Sequence, residues 1–264
     1  MKFALFTLIA VLVIFSAGCR KSPVKQEAEK KPDVIETDQK HFIPIKFESD
    51  GMTVSLKYLA NTAELIEVSG SDGYTIVITY KNQEPHIFTK SQHQEQYETV
   101  DYVVDKNGIL KARLFDDNGT VNIHKESYLL FYNQAVLQKL IYYSPAGTLL
   151  SEAALQYTDG NLVSKTITNH SDATQKTLNY TYDTKNGIFK YLNFAGRLLL
   201  ECRYPFFMDG QNNRLSNSNT KSPAENITYS YQYNDNAYPS LLTVANPGGK
   251  QQTFKVTYTE LAHN

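Results

Sequence analysis

The sequence contains no tryptophan, and its two cysteines, Cys19 and Cys202, lie far apart. Lys and Arg (26) nearly balance Asp and Glu (27), so the chain lacks the basic surplus of nucleic-acid-binding proteins. We therefore expect no nucleic-acid partner. The motifs HExxH, GxSxG, CxxC and the phosphate-binding P-loop are also missing, which removes the motif-based arguments for an enzyme.

Long apolar runs are scarce as well, and the main one lies at the start, over residues 3–15. As a helix it would span about 20 Å, short of the roughly 30 Å hydrocarbon core of a bilayer. Small residues and a cysteine follow it: Ser16, Ala17, Gly18 and Cys19. This layout predicts a secretory signal peptide over residues 1–18 rather than a permanent membrane helix.

The segment Ser16-Ala17-Gly18-Cys19 resembles the lipobox of bacterial lipoproteins, in which the cysteine is acylated and becomes the mature N-terminus. Ser16 stands where that motif usually has Leu. The resemblance implies a lipid anchor on Cys19, with the membrane as a partner. Arg20, where inner-membrane retention favours Asp, implies the outer membrane, on either face. The alternative is an ordinary secretory cleavage beside an incidental cysteine.

Residues 20–40 contain eleven charged residues of both signs, two prolines and almost no large apolar side chains. Such a composition cannot bury enough apolar surface to fold. We therefore interpret residues 19–41 as the lipidated cysteine and a disordered tether, and residues 42–264 as an antiparallel β domain. The polar stretch 84–98 marks a candidate sub-boundary within that domain.

From about residue 42 onward, apolar and polar residues alternate with a period of two. Examples are Tyr74-Ile76-Ile78-Tyr80, Leu178-Tyr180-Tyr182, Ile227-Tyr229-Tyr231-Tyr233 and Phe254-Val256-Tyr258. Asp-Gly and Asn-Gly pairs, such as Asp159-Gly160, separate these runs and suit the tight turns of hairpins. The pattern predicts a soluble, all-β fold: an antiparallel meander of hairpins that forms a curved sheet or a partial barrel.

Four segments depart from the alternation or leave two interpretations open. Residues 84–98 read as a long loop or a short helix, and residues 211–225 as an irregular loop. Residues 127–140 are apolar on both faces, as in a covered strand pair, although 133–139 could be a helical turn. Residues 198–204 alternate like a strand, which makes Cys202 a structural thiol rather than a nucleophile.

Residues 155–258 resemble a Bacteroidetes-type lipoprotein family of unknown function whose fold has been described as porin-like. The resemblance rests on Tyr180-Thr-Tyr-Asp183 with its following Asn-Gly, on Asn226 to Asn234, and on Tyr238-Pro239. The Tyr-Asp turn units also resemble, in degenerate form, the YD repeats of Rhs proteins. These resemblances imply a curved antiparallel sheet and bring no catalytic residues.

No catalytic residue, cofactor site or metal site is predicted. The histidines are scattered without the spacing of metal ligands, and His86 and His93 favour a surface loop over a zinc site. The segment Asp116-Asp117-Asn118-Gly119 offers oxygen ligands for calcium but lacks the later Glu of an EF-hand, so a plain hairpin turn is favoured.

The sequence therefore favours a non-enzymatic, membrane-tethered binding or interaction module of the cell envelope. One alternative is a glycan-binding accessory lipoprotein that stacks sugar rings on exposed tyrosines: Tyr180, Tyr182, Tyr229, Tyr231 and Tyr233. Its partner would be a polysaccharide, whereas the leading hypothesis also admits an envelope protein. A second alternative is an unrecognised hydrolase with paired carboxylates, which sequence alone cannot locate.

Overall fold

Sixteen β-strands make up most of the structure, a computed structural model. It describes residues 40–104, 109–117, 122–133, 136–193, 201–208, 210–219 and 221–261. The strands are β1 (Phe42–Ser49), β2 (Met52–Tyr58), β3 (Leu65–Gly70), β4 (Tyr74–Lys81), β5 (Glu84–Gln92), β6 (Glu95–Val104), β7 (Leu110–Asp117), β8 (Asn122–Asn133), β9 (Val136–Tyr143), β10 (Leu149–Thr158), β11 (Asn161–Asn169), β12 (Gln175–Tyr182), β13 (Arg214–Asn219), β14 (Ile227–Tyr233), β15 (Pro239–Ala245) and β16 (Gln251–Glu260). A short 3-10 helix, Pro223–Glu225, lies between β13 and β14.

Each strand pairs antiparallel with the next in the chain, and β16 returns to pair with β1. At this last seam Phe47 lies opposite Val256. Because the sheet closes on itself, none of its strands is left as an edge with a row of unpaired backbone groups. The predicted all-β antiparallel meander is confirmed. The open curved sheet or partial barrel is wrong, because pairing between β1 and β16 makes a closed barrel.

Tight turns without glycine explain one error of the sequence analysis. Asn82 and Gln83 join β4 to β5, and His93 and Gln94 join β5 to β6, all four with positive φ. Two consecutive positive φ values are what a type I′ hairpin turn requires. The segment 84–98 is therefore not a loop or short helix, but belongs to two long paired strands.

The structure also shows the secondary structure of the segments 127–140 and 211–225. Residues 127–140 lie in the antiparallel pair β8 and β9, so the covered strand pair is confirmed, and residues 133 and 136–139 are extended rather than helical. The irregular loop predicted over 211–225 is wrong in its centre, where β13 pairs with β12 and β14. The sequence did not predict β13, because its residues, Arg-Leu-Ser-Asn-Ser-Asn, have almost no apolar alternation.

The two faces of the barrel wall differ sharply in polarity. On β4, Tyr74, Ile76 and Ile78 are buried and alternate with Thr75, Val77 and Thr79, which are half-buried or exposed. The same alternation runs through β2, β14 and β16. Side chains that point inward are thus mostly apolar and shielded from water, whereas those that point outward are mostly Thr, Ser, Lys and Glu.

The inner face is shielded because the described residues between β12 and β13, which are 183–193, 201–208 and 210–213, pack against the inner wall of the barrel; we call them the inserted segment. Its Phe206 stacks on Phe47 of β1, with ring centroids 4.1 Å apart, and meets Phe254 of β16 at 4.8 Å. Its Glu201 reaches the hydroxyl of Tyr102 on β6 at 2.5 Å. A segment that touches strands on opposite walls must lie inside the barrel.

The apolar part of the inserted segment joins the wall side chains in a single core. Phe189, Phe206 and Phe207 contact one another or Phe47, and all four are nearly inaccessible to water. Full burial of one such ring contributes about 1.5–3 kcal/mol. The barrel is consequently a filled body, at least where the described parts of the inserted segment lie.

Two predictions from the sequence are wrong within the inserted segment. The run 198–204 is not a strand over its described residues, since 201–204 belong to the inserted segment and pair with no strand. The Asn186-Gly187 pair, which follows the Tyr-Asp unit of Tyr182 and Asp183, has the sequence of a hairpin turn. In the structure it belongs to the start of the inserted segment instead.

We predict that Phe206→Ala lowers the free energy of unfolding by about 3–5 kcal/mol, because it removes a fully buried ring that packs against Phe47 and Phe254 on the paired strands β1 and β16. Urea titration followed by far-ultraviolet circular dichroism measures the change. The control is Val77→Ala, an outward residue of β4 that is 42% exposed, which should cost less than about 0.5 kcal/mol. Equal losses in the two variants would contradict a core built around the inserted segment.

Candidate functional site

The five tyrosines suggested as a ligand platform all point into the barrel from β12 and β14: Tyr180, Tyr182, Tyr229, Tyr231 and Tyr233. Tyr180 and Tyr229 are buried, and the other three are half-buried. The Tyr182 hydroxyl donates to the carbonyl of Leu162 at 2.8 Å, and that of Tyr231 donates to the carbonyl of Arg214 at 2.7 Å. The tyrosines thus share one concave wall, and their use as a sugar platform stays a prediction.

A guanidinium that sequence reasoning did not single out lies among these rings. Arg214 opens β13, and its Cζ atom lies 4.4 Å from the centroid of the Tyr180 ring and 6.0 Å from that of Tyr182. Such cation–π contacts stabilise a desolvated cation by about 2 kcal/mol. The Nε atom of Arg214 is nevertheless buried without a hydrogen-bond partner among the described residues.

A second cation points inward beside this group. Lys165 of β11 lies opposite Leu155 of β10 and Leu178 of β12, both of which face the core. Burial, followed by the charge of Arg214, lowers the pKa of Lys165 below its usual value. The two positive charges therefore lie close enough to repel each other.

A buried ionic network ties the inserted segment to the opposite wall. The ammonium of Lys90 on β5 lies 2.9 Å from Oε2 of Glu201 and 2.6 Å from Oε1 of Glu98. The other oxygen of Glu201 accepts hydrogen bonds from Tyr102 and Tyr128. Burial works to lower the pKa of Lys90, but Glu201 and Glu98 outweigh it and raise that pKa. Burial, and then Glu201, raise the pKa values of both tyrosines well above the usual value.

The inserted segment is also fastened at both rims. We call the upper rim the end at which β1 begins and β16 ends, and the lower rim the opposite end. At the lower rim Arg203 forms an ion pair of 2.6 Å with Asp72 in the turn between β3 and β4. The Tyr204 hydroxyl donates to the same carboxylate at 3.0 Å. An added Cβ on Gly70 would lie 1.9 Å from that hydroxyl, so this close approach requires glycine.

At the upper rim the two ends of the inserted segment bind each other. The amide of Asn213 donates to the carbonyl of Asn186 at 2.9 Å, and its oxygen accepts from the backbone of Ile188 at 3.1 Å. Asp183 accepts from the backbone of Asn213 at 3.0 Å and from the Tyr233 hydroxyl. This arrangement closes the segment into a loop whose entry and exit share one polar clamp.

Two carboxylates inside the barrel, those of Glu98 and Glu201, do not form an open acid pair. Glu98 and Glu201 bind one ammonium, and the side chain of Glu201 is only 3% exposed. Among the described residues there is also no group of three or more His, Cys, Asp or Glu side chains that could hold a metal ion. His86 and His93 lie at the two ends of β5 rather than together.

Several residues named in the sequence analysis lie outside the described part of the chain. These are Cys19 with Ser16, Ala17 and Gly18, as well as Asn118 and Gly119 of the candidate calcium turn. Lipidation and cleavage therefore stay predictions. Cys202, in contrast, lies in the inserted segment next to Glu201, where burial and then the Glu201 charge raise the pKa of its thiol.

No protein-family model matches the chain, and no curated protein matches it. Among solved structures it is similar to a porin-like protein from Bacteroides uniformis, at 15% sequence identity and a TM-score of 0.49, over 84% of this chain and 96% of that one. This similarity assigns no function to the chain. The lipoprotein family and the YD repeats stay predictions from sequence. No helix in the described ranges is long and apolar enough to cross a membrane.

We predict that Lys90→Met lowers the free energy of unfolding by about 3–5 kcal/mol near pH 7, since it leaves Glu98 and Glu201 without their shared cation. Urea titration near pH 7 checks this. The control is Lys139→Met, whose partner Glu152 is solvent-accessible and whose loss should cost under about 1 kcal/mol. Equal deficits in the two variants would contradict the network.

We also predict that the Cys202 thiol of the folded protein reacts slowly with Ellman's reagent near pH 7. Only the thiolate attacks, and its pKa is raised by burial. Reaction should become complete once urea unfolds the barrel. Protein without Cys19 is used, so that a single thiol is counted by absorbance. Fast labelling before unfolding would show that this part of the inserted segment is open to solvent.

Proposed function

We propose that the chain is a lipid-tethered protein of the outer membrane whose barrel stands in water and serves as a non-enzymatic binding module. The observation that carries the proposal is the polarity of the barrel wall. Outward side chains include ion pairs between neighbouring strands, such as Arg113 with Asp101 and Lys139 with Glu152. On a lipid-facing barrel surface, a Lys or Arg near the midplane costs about 2–4 kcal/mol.

Hydroxyl pairs on the outer face support the same conclusion. Thr243 and Thr253 share a hydrogen bond of 2.8 Å across β15 and β16, and Thr166 and Thr177 share one of 3.2 Å across β11 and β12. Such ladders suit a surface that water covers, whereas a transmembrane barrel carries a continuous apolar band there. The barrel has the polarity of a globular protein, with the apolar side inside.

The filled interior argues for binding rather than passage. Phe206 and Glu201 occupy the space between opposite walls, and three polar attachments hold their segment: at Asp72, at Lys90 and at Asp183. A solute crossing this part of the lumen would have to break them. Support for a non-enzymatic role comes from the same network, because the ammonium of Lys90 and two tyrosines occupy the Glu98–Glu201 carboxylate pair, away from solvent.

The tether is compatible with this arrangement. Residues 19–41 have a root-mean-square reach of roughly 25 Å if flexible, and the chain enters the barrel at the upper rim, where β1 begins. Two acyl chains on Cys19, at about 0.8 kcal/mol per buried methylene, would make the attachment lasting. A barrel that needs a lipid anchor is one that does not insert by itself.

The proposal predicts where the protein goes when the anchor is removed. Residues 1–19 are replaced by a secretory leader that ends without cysteine, and the cells are fractionated. Because the outer wall is polar, we expect the variant in the soluble fraction without detergent, whereas the unchanged protein stays with the membranes and carries radiolabelled palmitate.

An immunoblot of the fractions gives the readout, with a known secreted protein and a known outer-membrane protein as markers. A variant that remains in carbonate-washed membranes would show that the barrel itself inserts, and the proposal would fail. Addition of the purified variant to planar bilayers provides a second check, since a filled, water-facing barrel should produce no conductance steps.

A further inference from the structure

One sector of the inner wall, formed by β10 to β14, carries positive charge that the described residues do not neutralise. Its two cations are Lys165 on β11 and Arg214 on β13. Neither forms an ion pair with a described carboxylate, although ion pairs hold Lys90, Arg113 and Arg203 elsewhere in the barrel. The contrast sets this sector apart from the other charged groups of the protein.

Three polar side chains of this sector are only half-buried: Lys165, Arg214 and Asn217. The neighbouring rings of Tyr180 and Tyr229 are buried. The polar groups of the sector therefore keep part of their own surface accessible. A desolvated cation without an opposite charge is costly, and proteins that keep one commonly use it for a ligand.

We infer that this sector is a binding site for a small ligand that combines an anionic group, a carboxylate or a phosphate, with a ring. The inference rests on the proposed binding function and names the ligand class for it. The guanidinium of Arg214 is a planar fork of N–H donors that shares hydrogen bonds with Tyr182 and Tyr229, and its buried Nε lacks a partner among the described residues. Its charge and its remaining donors suit the oxygens of such a group. The ammonium of Lys165 supplies the second positive charge.

The tyrosines of β12 and β14 account for the ring. Buried Tyr180 and Tyr229 lie beside Arg214 and hold the guanidinium, and half-buried Tyr182 lies 6.0 Å from it. The half-buried rings of Tyr182 and Tyr231 supply the aromatic surface for the apolar face of a sugar ring, with their hydroxyls near its polar substituents. The tyrosine platform suggested by the sequence and the cations found in the structure therefore belong to one site, with acidic or phosphorylated sugars as the ligand class.

The repulsion between the cations gives the site a measurable electrostatic signature. Burial and Arg214 lower the pKa of Lys165. A bound anion should raise that pKa again, because it offsets the repulsion between the two cations. Affinity should consequently fall as the salt concentration rises. A site that recognised sugar hydroxyls alone would show neither effect.

The test is isothermal titration calorimetry of the full-length mature protein in mild detergent with three probes: glucuronate, glucose 6-phosphate and glucose. We expect at least one anionic probe to bind and glucose to bind at least tenfold more weakly. Arg214→Gln and Lys165→Met should each weaken binding of that probe by at least tenfold. Lys255→Gln, which removes an exposed charge from the outward face of β16, should leave it unchanged.

The two anionic probes distinguish an acidic sugar from a sugar phosphate, since preference for one assigns the source of the charge. Thermal unfolding of each variant shows whether it is folded. Lys165→Met removes a half-buried charge that has no described ion-pair partner, so its melting temperature should be unchanged or higher. The inference is overturned if neither anion binds, if glucose binds equally well, or if Arg214→Gln retains full affinity. Any of these results leaves the fractionation test of the tethered barrel untouched.

Discussion

The structure depends on the burial of the inserted segment inside the barrel. A closed sheet of 16 strands encloses more space than its own inward side chains occupy. Phe206 packs against Phe47 and Phe254 on the paired strands β1 and β16, fills part of this space and joins the inserted segment to the apolar inner wall. Without the inserted segment, the apolar inner wall would face water, and the alternation along most strands would no longer favour this closure.

Polar contacts then determine how the inserted segment lies. Lys90 with Glu201, Arg203 with Asp72 and the clamp around Asp183 hold it at the middle, the lower rim and the upper rim. The first of these is deeply buried, so its value lies in specificity more than in net stability, because desolvation offsets most of the attraction between the charges. Apolar contacts stabilise any arrangement of the inserted segment that buries its rings, whereas these polar pairs stabilise one particular arrangement.

The sector around Lys165 and Arg214 follows a different rule. Its cations lie among tyrosines without described anionic partners, and both cations are half-buried. A filled barrel can thus combine a rigid core on one side with a chemically unsatisfied wall on the other. This combination suits a binding module, since a rigid scaffold reduces the entropy lost on binding.

Much of the fold was predictable from local pattern. Alternation of tyrosine and threonine in strands such as β4 and β14 indicated antiparallel hairpins, because side chains of a strand point to opposite faces. The strands β5, β6 and β13 were missed, since His93-Gln94 forms a turn without glycine and β13 is polar on both faces. Of the candidate site, the tyrosines were visible in the sequence, whereas Arg214 and Lys165 were not, because nothing local distinguishes an inward cation from a solvated one.

The amino-acid sequence by itself therefore indicated most of the strands and the polarity of their two faces, which depend on neighbouring residues, whereas the signal and the tether stay predictions. Only the tertiary structure decided that the sheet closes between β1 and β16, that the inserted segment lies in its interior, and that the late tyrosines meet Arg214. These features join residues far apart in the chain. They follow from the packing of a whole core, which no local pattern contains.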